Sequence, residues 1–171
     1  GGSCNQVTGL NSSIVGGTLN KASGSYSSIV GGSCNQATAL NSSVVGGTKN
    51  TASTACSFIG GGSNNVACGI NTSIVGGTLN TASGVCSFIG GGCNNKTFSQ
   101  AYIGFIGGGA NNTTSGQYSF IGGGSSNDIA GSTADSVIVG GRSNCIFDSL
   151  SDAFIGAGIS NTISSYSDTS F

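Results

Sequence analysis

An asparagine returns along the whole chain at near-constant spacing, at Asn5, Asn20, Asn35, Asn50, Asn65, Asn80, Asn95, Asn112, Asn127, Asn144 and Asn161. The first six intervals, from Asn5 to Asn95, are identical, and of the last four all but the one from Asn112 to Asn127 are longer by two, which marks eleven units. An Ile/Val column keeps the same register at Ile14, Ile29, Val44, Ile59, Ile74, Ile89, Ile106, Ile121, Ile138 and Ile155. A Gly pair follows two positions later, as in Gly16-Gly17, Gly46-Gly47 and Gly76-Gly77. Such a period makes each unit one supersecondary element that buries its apolar side against its neighbours. Without it, a chain with 33 Gly in 171 residues and 5% charged side chains would be low-complexity and disordered. The two added positions of the longer units all fall between the turn after Asn and the Ile position, so they are loop insertions.

A 15-residue unit is too short for a helical hairpin and holds no 3.6-residue apolar pattern. Its core segment, such as Ser27-Ser28-Ile29-Val30-Gly31, is β-branched and ends at Gly. The spacing predicts an all-β fold, a parallel β-solenoid or β-roll of about eleven 15–17-residue coils, each with one or two short strands. The chain forms a single repeat domain over 1–171, with 15-residue coils to about residue 95 and mostly 17-residue coils over 96–161. At about 4.8 Å per coil the rod is roughly 50 Å long. Asn20, Asn35, Asn50, Asn65, Asn80, Asn95, Asn112, Asn127 and Asn144 are expected to form a ladder of side-chain amides, each bonded to the ones above and below. The Gly pair is expected where φ is positive or backbones approach closely. The sequence opens at Gly1-Gly2 without a start Met and is read as a fragment of a longer protein.

The two positions flanking the Ile column share the face that Ile does not use. They pair as Ser13/Val15, Ser28/Val30, Ser43/Val45, Phe58/Gly60, Ser73/Val75, Phe88/Gly90, Phe105/Gly107, Phe120/Gly122, Val137/Val139 and Phe154/Gly156. Phe always stands beside Gly and Ser beside Val, so the summed volume stays nearly constant. Close-packed surfaces conserve volume because cavities and overpacking both cost free energy. The pattern predicts that this face is covered and that the chain is an obligate oligomer. Its packing residues would be Phe58, Phe88, Phe105, Phe120, Phe154, Val15, Val30, Val45 and Val75.

The repeat G-x-Y-S-S-I-V-G-G-x-x-N-x-A-S appears in Ala22-Ser23-Gly24-Ser25-Tyr26-Ser27-Ser28-Ile29-Val30-Gly31-Gly32 and in Thr114-Ser115-Gly116-Gln117-Tyr118-Ser119-Phe120-Ile121-Gly122-Gly123-Gly124. Over nearly all of its length the chain resembles the head repeats of trimeric autotransporter adhesins and related repeats of viral and phage fibres. That resemblance implies a left-handed β-roll wound as a homotrimer. It also implies a fibre or adhesive role on a virion or cell surface, with a host-surface receptor or glycan as outside partner. The repeat here is longer than in bacterial adhesin heads and carries seven Cys, which favours a fibre assembled in a reducing compartment, such as a virion appendage.

Chemistry has few side chains to use. Three Lys, one Arg and five Asp give a net charge of −1, and there is no His or Glu, so an enzyme, a cofactor and a metal centre are not expected. Nor is a nucleic-acid partner, since no basic field exists, or membrane insertion, since no apolar run approaches about 18 residues. The triple glycines lack the Lys-Ser/Thr and helix of a phosphate cradle and recur in register. The odd number and spacing of the Cys favour small buried apolar fillers or free thiols over a disulfide framework. Asp128, Asp135, Asp148, Asp152 and Asp168 are read as solvated turn acids rather than a Ca²⁺ site.

Asn11, Asn41 and Asn71 each open an N-x-Ser/Thr sequon in every second unit, with further matches at Asn95, Asn111 and Asn112. Thr18, Thr48 and Thr78 recur at the same double interval, with Ser33 and Ser63 between them, and suggest a hydroxyl row for ice. The long coils carry Gln100-Ala101-Tyr102, Ser132-Thr133-Ala134-Asp135 and Ser149-Leu150-Ser151-Asp152, of which Tyr102, Asp135 and Asp152 are the expected contact residues. The leading expectation is a structural, noncatalytic fibre or adhesin segment. The alternative is a β-solenoid that binds ice or glycan through a regular exposed face.

Overall fold

A computed structural model describes residues 1–131, 133–147 and 150–164. Coils are numbered by their asparagine, coil 1 holding Asn5 and coil 11 Asn161. Each full coil gives one two-residue strand to each of two parallel sheets. Sheet I has eleven strands, from Gln6–Val7 to Thr162–Ile163, and sheet II has ten, from Ser13–Ile14 to Phe154–Ile155. Pairing is in register throughout, as in Gln6↔Lys21, Ile74↔Ile89 and Ile89↔Ile106 across a longer coil. A third line of parallel bridges runs from Ser3↔Thr18 to Arg142↔Ile159. The result is an all-β parallel solenoid of about ten turns.

The core lies between the two sheets. Ile29, Val44, Ile59, Ile74, Ile89, Ile106, Ile121 and Ile138 are fully buried and Ile155 nearly so, whereas Ile14, in a coil with one neighbour, is half-buried. Facing them from sheet I is a column that the periodicity does not single out as core. It runs Ala22, Ala37, Ala52, Ala67 and Ala82, then Thr97, Thr114, Ile129 and Ile146, all buried. The enlargement to Ile comes in coils 9 and 10, both of the longer kind. Each insertion falls at the corner between the strands of sheets I and II, where Ala101, Thr133 and Leu150 continue the inward column of Gly24, Gly69, Gly84 and Gly116. Ala101 is 0% exposed, Thr133 is 2% exposed, and Leu150 packs on the core. Coils 9 and 10 thus carry larger side chains at both inward positions, Ile129 with Thr133 and Ile146 with Leu150.

The asparagine column is buried and bonded in a fixed pattern. Asn80 Nδ2 donates to Gly76 O at 3.0 Å in its own coil and to Gly92 O at 3.0 Å in the next, while its Oδ1 accepts the backbone N–H of Asn95 at 2.9 Å. The amide-to-amide contact expected from the sequence occurs only from Asn112 onward, where Nδ2 also reaches Oδ1 of the preceding coil, at 3.1 Å for Asn112 and Asn127. Elsewhere each side chain serves backbone groups at the corner, which would otherwise be buried without partners.

The second glycine of each pair is what lets this corner close. Gly62 has φ +87°, and a Cβ there would lie 2.0 Å from Gly77 O of the next coil. Gly61 opens to free space, with nothing within 4 Å. Gly62→Ala is therefore expected to cost about 2 kcal/mol or more in thermal unfolding, while Gly61→Ala leaves the midpoint nearly unchanged.

Two further columns hold non-glycine residues in the left-handed region, including Leu19, Cys34 and Lys49 at one corner and Asn11, Tyr26, Asn41, Cys56 and Asn71 at another. Their N–H groups point to the preceding coil, as in Tyr26 N–H to Leu10 O at 2.7 Å, whereas strand N–H groups point to the following coil, as in Lys21 N–H to Asn35 O at 2.8 Å. Inside the second of these corners a buried hydroxyl closes the turn onto a carbonyl three positions back, as Ser42 does to Ala39 O at 2.7 Å.

Candidate interaction surface

The outer faces of the solenoid differ in polarity. Sheet I presents mainly polar side chains, among them Gln6, Lys21, Gln36, Thr51, Thr81 and Lys96. Sheet II presents the Ser/Val and Phe/Gly pairs. On one chain this face is open: Val15 is 66% exposed, Val30 51%, Val45 43%, Val75 52% and Phe154 63%, while Phe58 and Phe120 are just above one third and Phe88 and Phe105 are half-buried.

The constant volume of the pairs has a cause within the chain. Each Phe ring lies across the glycine two positions on, its Cε1 3.6 Å from where a Cβ of Gly60 would be, 3.5 Å for Gly90 and 3.3 Å for Gly122. The glycine is itself required, because a Cβ would stand 2.2 Å from Gly107 O at Gly90 and 2.3 Å from Val139 O at Gly122. Volume compensation here follows from packing within and between coils of one chain, so taken alone it does not demonstrate a cover. What it produces is an apolar strip. Along it Phe88, Phe105 and Phe120 stack with centroids 5.0 Å apart and rings tilted by 14° and 9°.

The expected contact residues fall on one edge, the corner between the strands of sheets I and II. Tyr102, Tyr118, Asp135 and Asp152 come from coils 7, 8, 9 and 10 and are all exposed. They are linked through the backbone by Tyr118 N–H to Tyr102 O at 2.8 Å, Asp135 N–H to Gln117 O at 3.0 Å and Asp152 N–H to Ala134 O at 3.1 Å. Tyr102 and Tyr118 meet edge to face at 5.7 Å. Tyr118 lies in a 15-residue coil without an insertion, so only the stacking of coils brings it into the group. Ser132, Asp148, Ser149 and Asp168 lie outside the described residues. Asp128 sits apart, in the strand Asp128–Ile129 of sheet I.

Asn11, Asn41 and Asn71 occupy the same corner in coils 1, 3 and 5 and are exposed. Thr18, Thr48 and Thr78 are exposed on the third line of bridges, alternating with Ser33 and Ser63. That column continues as Cys93, Ala110, Ser125, Arg142 and Ile159, so the hydroxyl row does not run the length of the rod. Of the two readings offered for the cysteines, buried fillers are overturned, while the described residues form no disulfide, as the reading of free thiols expects. Cys4, Cys56, Cys86 and Cys93 are exposed, and Cys34, Cys68 and Cys145 half-buried. Cys4, Cys34, Cys56 and Cys86 take left-handed corner positions whose side chains leave the core. Cys4 and Cys34 are two coils apart, about 10 Å, too far for a disulfide within the chain.

Two clefts accompany these surfaces. One of ≈ 260 Å³ is lined by Cys4, Lys21, Cys34 and Gln36, and one of ≈ 730 Å³ lies against the last coil, beside Leu150, Phe154 and Ile163. Among the described residues no helix is long and apolar enough to cross a membrane. No protein-family model matches the chain, and no curated protein matches it.

Proposed function

We propose that this chain is a structural, noncatalytic segment of a fibre or adhesin, a rigid rod in which three copies pack along the outer face of sheet II. The observation that carries the proposal is the asymmetry of the surface. One face is a continuous Val/Phe strip about 50 Å long, while the opposite sheet is mainly polar. Contiguous apolar surface on this scale marks an interaction site rather than a solvated wall. The chain has no His and no Glu, two of the side chains most used for acid–base catalysis. A fibre on the outside of a virion or cell is the setting such a rod fits. Attachment to a host-surface receptor or glycan is assigned to the corner carrying Tyr102, Asp135 and Asp152. Native mass spectrometry under reducing conditions tests the assembly. A native mass three times the 16.4 kDa of one copy is expected, and a stable single-chain mass would refute the packing.

A further inference from the structure

We propose that Asn11, Asn41 and Asn71 are acceptor sites for N-linked glycans, spaced as a line of attachments along one corner of the rod, which sets a secretory route against the reducing compartment that the cysteines favour. The sequence offers six N-x-Ser/Thr matches, at Asn11, Asn41, Asn71, Asn95, Asn111 and Asn112, and the fold divides them. Asn95 and Asn112 are 0% exposed, and their Nδ2 atoms, the atoms a glycan would take, are held inside the ladder. Asn95 Nδ2 donates to Gly91 O at 2.8 Å and Gly109 O at 2.9 Å, and Asn112 Nδ2 to Gly108 O at 2.9 Å and Gly124 O at 3.0 Å. A sugar on either would prevent its coil from closing. Asn111 is exposed on the other corner, and its carboxamide accepts a bond from Asn94 Nδ2 at 2.8 Å.

Asn11, Asn41 and Asn71 differ from these. All are exposed, and their φ values of 52°, 54° and 56° turn the side chains out of the corner. The carboxamides of Asn11 and Asn41 take no hydrogen bond among the described residues, and Asn71 Nδ2 reaches only Cys86 Sγ at 4.0 Å. Left-handed backbone by itself favours Asn, but it does not account for the residue two places on. Where this corner is Asn, that residue is Ser in all three cases: Ser13, Ser43 and Ser73. Where the corner is Tyr26, Cys56, Cys86, Ile103, Tyr118, Asp135 or Asp152, the residue is Ser only at Ser28 and otherwise Phe or Val. Corner Asn and sequon Ser go together. The acceptors stand on alternate coils, about 10 Å apart, which leaves each bulky group clear of the next. They border the apolar strip of the first half of the rod without lying on it, so glycan attachment and packing through sheet II are separate properties.

In the reaction an oligosaccharyltransferase joins the sugar C1 to Asn Nδ2. The bond from C1 to the pyrophosphate of a lipid-linked oligosaccharide breaks, the lipid pyrophosphate leaves, and Nδ2 gives up one proton. The test secretes the full chain from a eukaryotic host behind a cleavable signal, followed by enzymatic deglycosylation in ¹⁸O water and peptide mapping. Glycans at Asn11, Asn41 and Asn71 with none at Asn95 or Asn112 are expected. Ser13→Ala should remove the glycan at Asn11 alone, with the thermal midpoint of the unglycosylated chain unchanged, and Asn41→Gln the one at Asn41. A folded chain bare at all three, or one carrying sugar at Asn95 or Asn112, would overturn the assignment. If the chain is not secreted, the folded bacterial product treated with purified transferase and lipid donor gives the same readout. The oligomer mass is measured on unglycosylated protein, so failure of one proposal leaves the other standing.

Discussion

Phe105→Asp is expected to lower the native mass from that of three copies to the 16.4 kDa of one, as read by light scattering under reducing conditions. Phe105 stands between Phe88 and Phe120 in the ring stack, 5.0 Å from each. On a single chain the ring is half-buried, so a carboxylate in its place keeps contact with water and the solenoid holds its fold. In the proposed trimer the same carboxylate would be sealed off between three packed faces, once per copy. None of Lys21, Lys49, Lys96 and Arg142 lies on this strip to neutralise it. An unpaired buried charge costs several kcal/mol, a large fraction of the roughly 8 kcal/mol that holds a micromolar complex. Phe105→Leu, apolar and close in size, should stay assembled. An Asp variant that remained at the trimer mass would show that the copies meet elsewhere.

Asn80→Ala is expected to be the most damaging single change inside the rod. It removes the bonds to Gly76 O and Gly92 O and the acceptor for Asn95 N–H. Gly92 O keeps the N–H of Thr78 at 2.8 Å, but Asn95 N–H, deep in the corner, has no other partner. At about 1 kcal/mol per bond, and more where a buried donor is left unmet, the loss is about 3–4 kcal/mol. Stability in a solenoid is a sum over coils and their interfaces, so the damage is local. Urea unfolding followed by circular dichroism should show the single transition shifting down or dividing in two. Asn64→Ala, one position before the ladder, exposed and left-handed at φ 55°, should cost only about 1 kcal/mol. An equal loss in both variants would mean that the ladder contributes no more than any corner residue.

The Ile column and the Asn column are legible in the sequence because each keeps one residue type at one interval, and that interval is the coil. The Ala column is not, since Ala22 or Ala52 two places after Asn has the look of turn filler. Its burial depends on how close sheet I comes to sheet II, which periodicity does not encode. The insertions mislead in the same way: Ala101 and Thr133 read as outward loop, yet they continue the inward column that Gly84 and Gly116 hold in shorter coils. Cys34 and Cys56 escape sequence reasoning for a related cause. The in-and-out alternation that assigns faces holds only for extended residues, and left-handed corner residues break it. Tyr102, Asp135 and Asp152 stand out singly in the sequence, but that they share an edge with Tyr118 follows from coil stacking. The Phe/Gly pairing is visible there as compensation. Its nearest cause, a ring lying over a glycine that cannot carry a Cβ, needs atomic positions.

The backbone bonds between coils all join a coil to the one before or after it. A pull on the two ends of the rod therefore places these layers in series, each bearing the full load, and the weakest layer sets the limit. A sideways push is spread over many layers at once. A lone solenoid is thus stiff against bending and weak in tension. Three laid side by side would share that load, since a gap at any level must open in all three copies at once.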